Sequence, residues 1–298
     1  SNNGANVFNK LFDCPMCCLI DDIPEADSVN PVVWRGNLQR SVYEMDIMDG
    51  SITNNIESRL KFSIDPRNMQ YDEEILIMWS PSNRIGQLRD HINRENKEFG
   101  SLSTDDISRK LLRENLILRP AIRKRVDKFV TERFKGETVG IHVRFTDKTV
   151  LLPKILTKLH ELLKRMPNLQ IFLATDNLEI KKTFEQKYRN VITTPHWYSK
   201  AGIPIHGNQD CPDPTESCIE ALIDLYLLAE CDYLIIDSTS SFSYMTKLLS
   251  EAPDSCIFDV KPREKPLLRL QKFNKRLRTK LRSLIFGPAL LGRFLRTH

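Results

Sequence analysis

The sequence predicts an α/β fold with a parallel sheet in its second half, and three observations support this prediction. Short apolar segments alternate with amphipathic segments of 10–14 residues between residues 135 and 260. Such alternation is typical of parallel strands covered by helices on both faces. Polar residues follow several apolar segments, where open parallel sheets bind ligands. The hydrophobic content of 41% is enough to bury a core, which excludes wholesale disorder.

The first 134 residues show fewer regular patterns. A short apolar segment, Ile75–Trp79, lies among turn residues. The acidic residues after Ser103 indicate a helix start, and apolar residues follow at helical spacing from Ile107. Pro120 opens a second predicted helix, because proline is favoured in the first helical turn.

The elements from residue 135 onward follow a regular order that predicts a Rossmann-like domain over about 135–260. Strands are predicted at Val139–Val143, Leu169–Ala174, Asn190–Thr193, Tyr233–Ile236 and Cys256–Asp259. Helices are predicted at Pro153–Met166, Leu178–Tyr188, Ser217–Ala229 and Ser240–Leu249.

Three predicted strand ends carry the polar residues of a candidate ligand site. They are His142–Lys148 after the first strand, Thr175–Asn177 after the second and Asp237–Ser241 after the fourth. Arg144 offers a planar fork that suits phosphate oxygens. The hydroxyls of Ser238–Ser241 lie where a strand passes into a helix, and a helix N-terminus attracts anions. The alternatives are a surface ion pair for the arginine and a helix N-cap for the serines.

Composition and motifs exclude several classes of protein. The chain has no G-x-G-x-x-G motif, no Walker loop and 11 glycines, which argues against a dinucleotide held by a glycine-rich loop. Its longest apolar segment, Leu284–Gly292, is too short to cross a membrane. Seven cysteines in a chain of this length argue against a disulfide scaffold and favour a reducing, cytoplasmic location. Cys14, Cys17 and Cys18 lack partners at zinc spacing, so reduced thiols are favoured over a metal site.

One segment carries a family signature. Val139-Gly-Ile-His-Val-Arg-Phe-Thr-Asp-Lys148 resembles the G-[IV]-H-V-R-x-[TG]-D-K signature of the α1,6-fucosyltransferase family, which includes the nodulation and core fucosyltransferases. The resemblance covers about residues 107–260 in the family's order and spacing. Its further blocks are residues 116–127, 171–176, 221–229 and 240–243.

This resemblance implies a GT-B-like α/β fold with two Rossmann-like domains, of which the N-terminal one is incomplete here. It divides the chain into an acceptor-side domain at 1–118, a nucleotide-sugar-binding domain at 119–262 and a basic tail at 263–298. It also implies an enzyme without a cofactor or divalent metal, in which Arg144 is catalytic and neutralises the charge on the departing GDP. No D-x-D pair stands at a predicted strand end, which agrees with that expectation.

The resemblance also implies which residues hold GDP-fucose. His142 and Asp224 match positions that contact the base, and a carboxylate that accepts from N1–H and N2–H selects guanine over adenine. Asp176 matches a residue near the sugar or ribose. The donor-binding set is His142, Arg144, Asp147, Lys148, Asp176, Asp224, Thr239, Ser240 and Ser241.

Simpler roles remain open for four of these residues when each is taken singly. His142 could be a packed, hydrogen-bonded strand residue, and Asp224 could be a solvated helix residue. Asp147 could cap its loop, and Lys148 could be solvated.

The chain departs from the family pattern in three places. Phe145 stands where many members carry a second arginine, and Val150–Lys154 contains no acid where core enzymes carry a proposed base. The family's N-terminal G-x-G-D loop has no counterpart, and Phe8–Phe12 enter the alignment about forty residues late. The chain also begins at Ser1 without a signal peptide. We therefore expect a divergent or N-terminally incomplete copy.

The net charge of +5 is unevenly divided. Residues 261–298 contain twelve Lys and Arg against one acid, which leaves a net −6 on residues 1–260. Apolar residues recur at helical spacing from Leu270, and this predicts a basic amphipathic helix within 267–298. Such a helix binds an anionic membrane surface, packs on a partner subunit or docks on the N-terminal domain. Nucleic acid is disfavoured because the charges lack interleaved aromatic residues.

Taken together, these features predict an inverting, metal-independent transferase of fucose from GDP-fucose to a glycan or glycolipid acceptor, of α1,6 type. One alternative is a glycosyltransferase of the same fold that uses another nucleotide sugar. The other is a non-catalytic nucleotide-sugar-binding, membrane-associated protein, which the missing acid and missing loop favour.

Overall fold

The computed structural model describes residues 7–16, 23, 26–49, 60–68, 70–79, 86, 88–144, 151–199 and 210–261. The chain divides into two compact units, Ser1–Asp259 and Val260–His298, and every element below lies in the first. The predicted helix within 267–298 lies outside the described residues, as do Asp147 and Lys148. None of the helices in the described ranges is both long and apolar enough to cross a membrane.

The N-terminal elements are short and surround a small core of their own. Trp34 and Phe62 are buried there, and Trp34 Nε1 donates to the Phe62 carbonyl at 2.8 Å. Two 3₁₀ helices, Val32–Trp34 and Leu60–Phe62, carry these residues. The other elements are α1 (Phe8–Leu11), β1 (Phe12–Asp13), β2 (Val29–Asn30), α2 (Val42–Met48) and β3 (Ile75–Leu76), with β2 and β3 paired in parallel.

The helices expected around residues 104–133 are present. The Ser103 side chain caps the first of them by accepting from the Asp106 N–H at 3.1 Å, and Pro120 occupies the first turn of the second. The elements are α3 (Arg89–Glu95), α4 (Lys97–Gly100), α5 (Thr104–Asn115), β4 (Ile117–Leu118) and α6 (Pro120–Arg133). Strand β4 pairs antiparallel with β1, which ties the start of the described chain to this region.

Five parallel strands form the main sheet within the described residues, in the order β7-β6-β5-β8-β9. The chain runs outward from β5 to β7 and then returns to place β8 on the other side of β5. Ligands bind at such a reversal, outside the carboxyl ends of the strands. The elements are β5 (Thr138–Val143), α7 (Leu152–Arg165), β6 (Gln170–Thr175), α8 (Leu178–Lys187), β7 (Val191–Ile192), α9 (Pro214–Ala229), β8 (Tyr233–Ile236), α10 (Ser241–Leu249) and β9 (Ile257–Asp259).

These bounds agree with the predicted alternation to within a few residues. Strand β5 is buried along its whole length, as a central parallel strand must be when helices cover both faces. Gly140 lies in this strand where β8 and α9 pack closely: a Cβ there would lie 2.9 Å from Leu234 Cδ2 of β8 and 3.1 Å from Leu228 Cδ2 of α9. Only glycine fits this contact without displacing its neighbours.

Helix α10 is anchored to α5 by polar contacts. Asp105 accepts hydrogen bonds from the Tyr244 hydroxyl and from Lys247 Nζ, both at 2.7 Å. These two hydrogen bonds hold the pKa of the Asp105 carboxyl below its usual value, although burial opposes that shift. The anchor fixes the helix whose N-terminus faces the candidate site.

The apolar segments around Cys231 and Cys256 predict that both are small core residues, and the structure confirms this for Cys231 alone of the two. Cys231 is buried in the main core, whereas Cys256 is half-buried. Across the described ranges, no three His, Cys, Asp or Glu side chains are grouped so that they could hold a metal ion. Cys17 and Cys18 lie outside these ranges.

Candidate functional site

Polar residues from three strands meet at the carboxyl edge of the main sheet. Val143 of β5 pairs with Thr175 of β6, so Arg144 and Asp176 each follow the last residue pair of this ladder. Strand β8 lies on the other side of β5, and Asp237 follows its last residue. The parallel register therefore brings together segments that are far apart in the sequence.

His142 lies one residue before the end of β5 and is 9% exposed. Its Nδ1 lies 2.7 Å from the Oγ of Ser243, and its ring packs on Phe242 with the centroids 4.5 Å apart. Burial lowers the pKa of His142 to about 4, and the positive charge of Arg144 acts in the same direction. The ring is therefore neutral at neutral pH, with Nδ1 engaged by helix α10.

Arg144 and Asp176 are half-buried at the ends of their strands. The charges of both act on the His142 ring, which places them near the same point of the sheet edge. Asn177, the next residue after Asp176, caps α8 by accepting from the N–H groups of Glu179 and Ile180. The segment that follows Arg144, including Asp147 and Lys148, lies outside the described residues.

The loop between β8 and α10 is held by two carboxylates. Asp237 Oδ1 accepts from the Thr239 N–H at 3.0 Å and from its hydroxyl at 2.7 Å. Ser238 donates to Asp259 through its N–H at 3.1 Å and its hydroxyl at 2.5 Å. The two bonded residues therefore set the path of the loop into the helix.

Ser240 differs from its neighbours in this loop. It occupies the N-cap position of α10, but its side chain makes no capping hydrogen bond. The residue is 7% exposed, and its buried Oγ has no hydrogen-bond partner among the described residues. Burial of an unpaired hydroxyl is unfavourable. With the free N–H groups of the first helical turn, which begins at Ser241, this hydroxyl forms a site suited to an anion.

Asp224 lies in the interior of α9 and is 7% exposed, so it is not the solvated residue that one simple interpretation expected. Its Oδ1 lies 2.5 Å from the hydroxyl of Thr194, and its Oδ2 lies 3.9 Å from Nδ1 of His196. Burial raises the pKa of Asp224 to about 7, and the negative charge of Glu220 on the same helix adds to this shift.

The segment after β7 supplies the side chains around Asp224. His196 Nε2 lies 3.1 Å from the carbonyl oxygen of Thr175, and the Tyr198 ring packs on the imidazole with centroids 4.2 Å apart. The Tyr198 hydroxyl is buried without a hydrogen-bond partner in the described part of the chain. Burial lowers the pKa of His196 and raises that of Tyr198.

Several residues of this site were not identified from the sequence. Thr194, His196 and Tyr198 lie in the irregular segment after β7, a strand end that is not among the three marked as a candidate ligand site from the sequence. Ser243 and Phe242, which contact His142, follow the predicted phosphate loop in α10. A count of polar and aromatic residues after each strand, β7 included, would have found Thr194, His196 and Tyr198.

A cavity in the described residues lies at the opposite edge of the sheet. It has a volume of about 860 Å³ and is lined partly by Glu137, Asp232 and Tyr233, at the amino ends of β5 and β8. None of the predicted site residues lines it. The carboxyl edge, and not this cavity, holds the candidate site.

Comparison with known proteins agrees with the resemblance found in the sequence. The profile of the nodulation protein Z (NodZ) family matches residues 102–272, which is more than half of the chain. Nodulation protein Z of Azorhizobium caulinodans is 26% identical over 165 residues, or 49% of each chain. The chain thus spans about half the length of this curated relative.

Two solved structures are similar to this one. A NodZ α1,6-fucosyltransferase co-crystallised with GDP matches with a TM-score of 0.50 and 20% identity, covering 83% of this chain and 77% of that one. The fucosyltransferase NodZ from Bradyrhizobium matches with a TM-score of 0.50 and 20% identity, over 85% and 80% of the two chains.

These structural matches confirm the predicted GT-B-like α/β fold. The family profile covers nearly the same residues as the predicted resemblance over 107–260 and extends it at both ends. The signature segment around Arg144 and the loop at Ser240 both lie within the match. The chain therefore belongs to the nodulation protein Z family.

Proposed function

We propose that this protein is a GDP-fucose-dependent fucosyltransferase whose donor site is the carboxyl edge of the main sheet. The observation that carries the proposal is the hydroxyl of Ser240 at the N-terminus of α10, which is buried and has no hydrogen-bond partner within the described part of the chain. A diphosphate at this position would satisfy that hydroxyl and the free N–H groups of the helix. Arg144, at the end of the adjacent β5, supplies the positive charge for the same phosphates.

The relatives support this choice of ligand. The solved NodZ structure was co-crystallised with GDP, and a further NodZ α1,6-fucosyltransferase was soaked with GDP-fucose. Six of the donor-binding residues implied by the family lie in elements that end or begin at this sheet edge, or in the loops beside them: His142, Asp176, Asp224, Thr239, Ser240 and Ser241. The donor-binding roles of Asp147 and Lys148 stay predictions.

The proposed reaction is a single displacement with inversion at the sugar. The acceptor hydroxyl oxygen forms a bond to C1 of fucose as the bond from C1 to the phosphate oxygen breaks, and GDP leaves with that electron pair. The O–H bond of the acceptor breaks in the same reaction, and its proton passes to a base that is not assigned to any residue of this chain. Arg144 offsets the charge that grows on the departing diphosphate, which is the electrostatic task that a divalent metal performs in other transferases. We therefore propose a metal-independent enzyme with an α1,6-type glycan or glycolipid acceptor.

Asp224 supports a guanine base over other bases. An ionised carboxylate can accept from both N1–H and N2–H of guanine, whereas adenine offers no such pair of donors. A site built to pair with these donors rejects a base that leaves its polar groups unsatisfied. His142, held neutral by burial, is the second proposed contact of the base.

Calorimetric titration of the full chain with GDP, ADP and UDP, with and without EDTA, tests this proposal. We expect GDP to bind at least about tenfold more tightly than the other two, since the loss of paired hydrogen bonds costs more than 1.4 kcal/mol. EDTA should leave binding and transfer unchanged, and Asp224→Ala should erode the preference for GDP. Equal affinity for the three nucleotides, or a strict requirement for Mg²⁺ or Mn²⁺, would contradict the proposal.

Turnover distinguishes the remaining alternatives. We expect GDP release from GDP-fucose to increase when glycan acceptors are added. Release from a different GDP-sugar only would favour the glycosyltransferase with another donor. Tight GDP binding without turnover on any donor would favour the non-catalytic, membrane-associated protein.

A further inference from the structure

The hydrogen bonds around His196 determine which of its ring nitrogens carries a proton. Nε2 lies 3.1 Å from the carbonyl oxygen of Thr175, and a carbonyl can only accept, so Nε2 is a donor. In the neutral ring Nδ1 is then an acceptor. This nitrogen lies 3.4 Å from the Thr194 hydroxyl oxygen and 3.9 Å from Asp224 Oδ2.

When Asp224 is ionised, the three side chains have one proton too few to place a hydrogen in both contacts, Asp224 with Thr194 and Thr194 with His196. The Thr194 hydroxyl has a single hydrogen, and donating it to Asp224 leaves His196 Nδ1 facing two oxygens without a hydrogen between them. One additional proton resolves this conflict on either side. If the proton is on Asp224, Asp224 donates a hydrogen bond to Thr194 and Thr194 donates to His196. If it is on His196 Nδ1, His196 donates to Thr194 and Thr194 donates to Asp224. Asp224 and Thr194 are 7% and 6% exposed, so bulk water has little access to satisfy the hydrogen bond that the missing proton would make.

We propose that Asp224, Thr194 and His196 share one exchangeable proton, and that Thr194 and His196 are positioning residues that take it from Asp224 when guanine binds. This inference rests on the proposed function of the site. In the free protein the carboxylic acid of Asp224 donates to Thr194, whose own hydrogen points to His196 Nδ1. On binding, the O–H bond of Asp224 breaks and an N–H bond forms on His196 Nδ1, with the Thr194 hydroxyl passing one proton on as it receives another.

The net charge of the cluster does not change in this step. The neutral acid and neutral imidazole become a carboxylate and an imidazolium, which attract each other across 3.9 Å. The carboxylate is then free to accept from N1–H and N2–H of the base. The imidazolium donates from Nε2 to the Thr175 carbonyl and from Nδ1 to Thr194.

Burial favours the neutral pair in the free protein, because it raises the pKa of Asp224 and lowers that of His196. The hydrogen bond from Thr194 opposes the shift of Asp224, and hydrogen bonds to the backbone of Thr175 and Thr194 oppose that of His196. Glu220, on the same helix as Asp224, raises the pKa of that carboxyl further, whereas Lys181 of α8 lowers it. Lys181 also lowers the pKa of His196, and Asp176 at the end of β6 raises it.

Tyr198 completes the surroundings, because its neutral ring packs on His196 and its hydroxyl is buried. The N–H donors of a bound base would offset the desolvation of the Asp224 carboxylate and so lower its pKa. The proton then moves to the nearest acceptor, which is His196 Nδ1 through Thr194.

Titration of the full chain with GDP at pH 5.5, 6.25 and 7.0, in buffers of different ionisation enthalpy, tests the proposal. In the unchanged protein the proton stays inside the cluster, so the only protons exchanged on binding are those of the terminal phosphate of GDP, whose second pKa of about 6 lies in this range. In His196→Gln, which can still donate to the Thr175 carbonyl, the proton has no internal acceptor. We expect this variant to release up to one proton more than the unchanged protein, and its affinity for GDP relative to the unchanged protein to fall about tenfold for each unit of pH below the pKa of Asp224.

Thr194 variants provide the matched control. Thr194→Val removes the hydroxyl and should behave as His196→Gln does, whereas Thr194→Ser keeps it and should behave as the unchanged protein. A purely structural role would shift the affinity of Val and Ser variants without changing the number of protons released. Circular dichroism confirms that each variant is folded.

The outcomes separate the two proposals. Absence of GDP binding by the unchanged protein at every pH would overturn the proposed function. GDP binding with the same proton count and the same pH dependence in the unchanged protein, His196→Gln and Thr194→Val would overturn the shared proton alone. A new imidazolium signal in the nitrogen-15 spectrum on GDP addition, absent in His196→Gln, would support it directly.

Discussion

Burial shifts the pKa values of two residues of the candidate site in opposite directions, and both shifts favour the uncharged form of the side chain. It lowers the pKa of His142 to about 4 and raises that of Asp224 to about 7, because desolvation disfavours the charged form of each. Burial thus favours the uncharged form of both side chains, which are the proposed contacts of the base. Arg144 brings a positive charge to the end of β5, where the phosphates are proposed to lie.

Arg144 is the residue on which the first prediction depends. If it stabilises the departing diphosphate, Arg144→Ala should lower kcat by about 10²–10³-fold, the effect of removing one preorganised donor from a developing negative charge. Arg144→Lys should recover little, because a point charge does not reproduce the planar fork. Initial rates of GDP release, with circular dichroism as the control for folding, measure both variants. Near-normal turnover in either one would show that another group carries this role.

At the scale of elements, the site depends on how tightly helices pack against the central strand. Helix α9 carries Asp224 and lies against Gly140 of β5, while α10 carries Ser240 and is anchored to α5 through Asp105. The close approach at Gly140 thus holds the base-facing helix near the strand that ends at Arg144. A larger side chain in that strand must push the helix away.

Gly140→Ala tests this packing. The added Cβ would lie 2.9 Å from Leu234 Cδ2 and 3.1 Å from Leu228 Cδ2, so we expect a loss of about 1–3 kcal/mol in the free energy of unfolding. Gly136→Ala is the matched control, since nothing lies within 4 Å of a Cβ there. Urea unfolding followed by circular dichroism compares the two. Equal stability of both variants would mean that the core adapts to the extra methyl group.

For the whole molecule, the distribution of charge divides the chain almost where the two compact units meet in the sequence. Residues 1–260 carry a net −6, whereas 261–298 carry twelve basic residues against one acid. The predicted basic amphipathic helix within 267–298 lies outside the described residues, so its role rests on the sequence. We propose that it attaches the protein to an anionic membrane surface.

Sedimentation with liposomes tests this attachment. Each basic residue near an anionic surface contributes about 1 kcal/mol, an attraction that salt screens. We expect the full chain to sediment with anionic liposomes at low salt and to be released at high salt, and a chain that ends at Lys265 to stay in the supernatant. If the helix instead docks on the protein, the full chain ignores liposomes and the truncated chain loses stability.

The sequence by itself determined the alternation of strands and helices from Thr138 to Asp259, because apolar periodicity and helix capping are local properties of the chain. It also identified Arg144, Asp176 and Ser240 as strand-end residues, since a parallel sheet gathers its carboxyl ends on one edge whatever the details of packing. The signature around His142 identified the family, which the profile match confirmed.

Only the tertiary structure decided the surroundings of these residues. Asp224 is buried, and not solvated, because α9 packs across the sheet and meets the segment after β7. Thr194 and His196 lie about thirty residues from Asp224 in the sequence, in a segment without periodicity, so no local pattern relates them. The charge of a carboxyl depends on the groups packed around it, and this packing is a property of the folded chain alone.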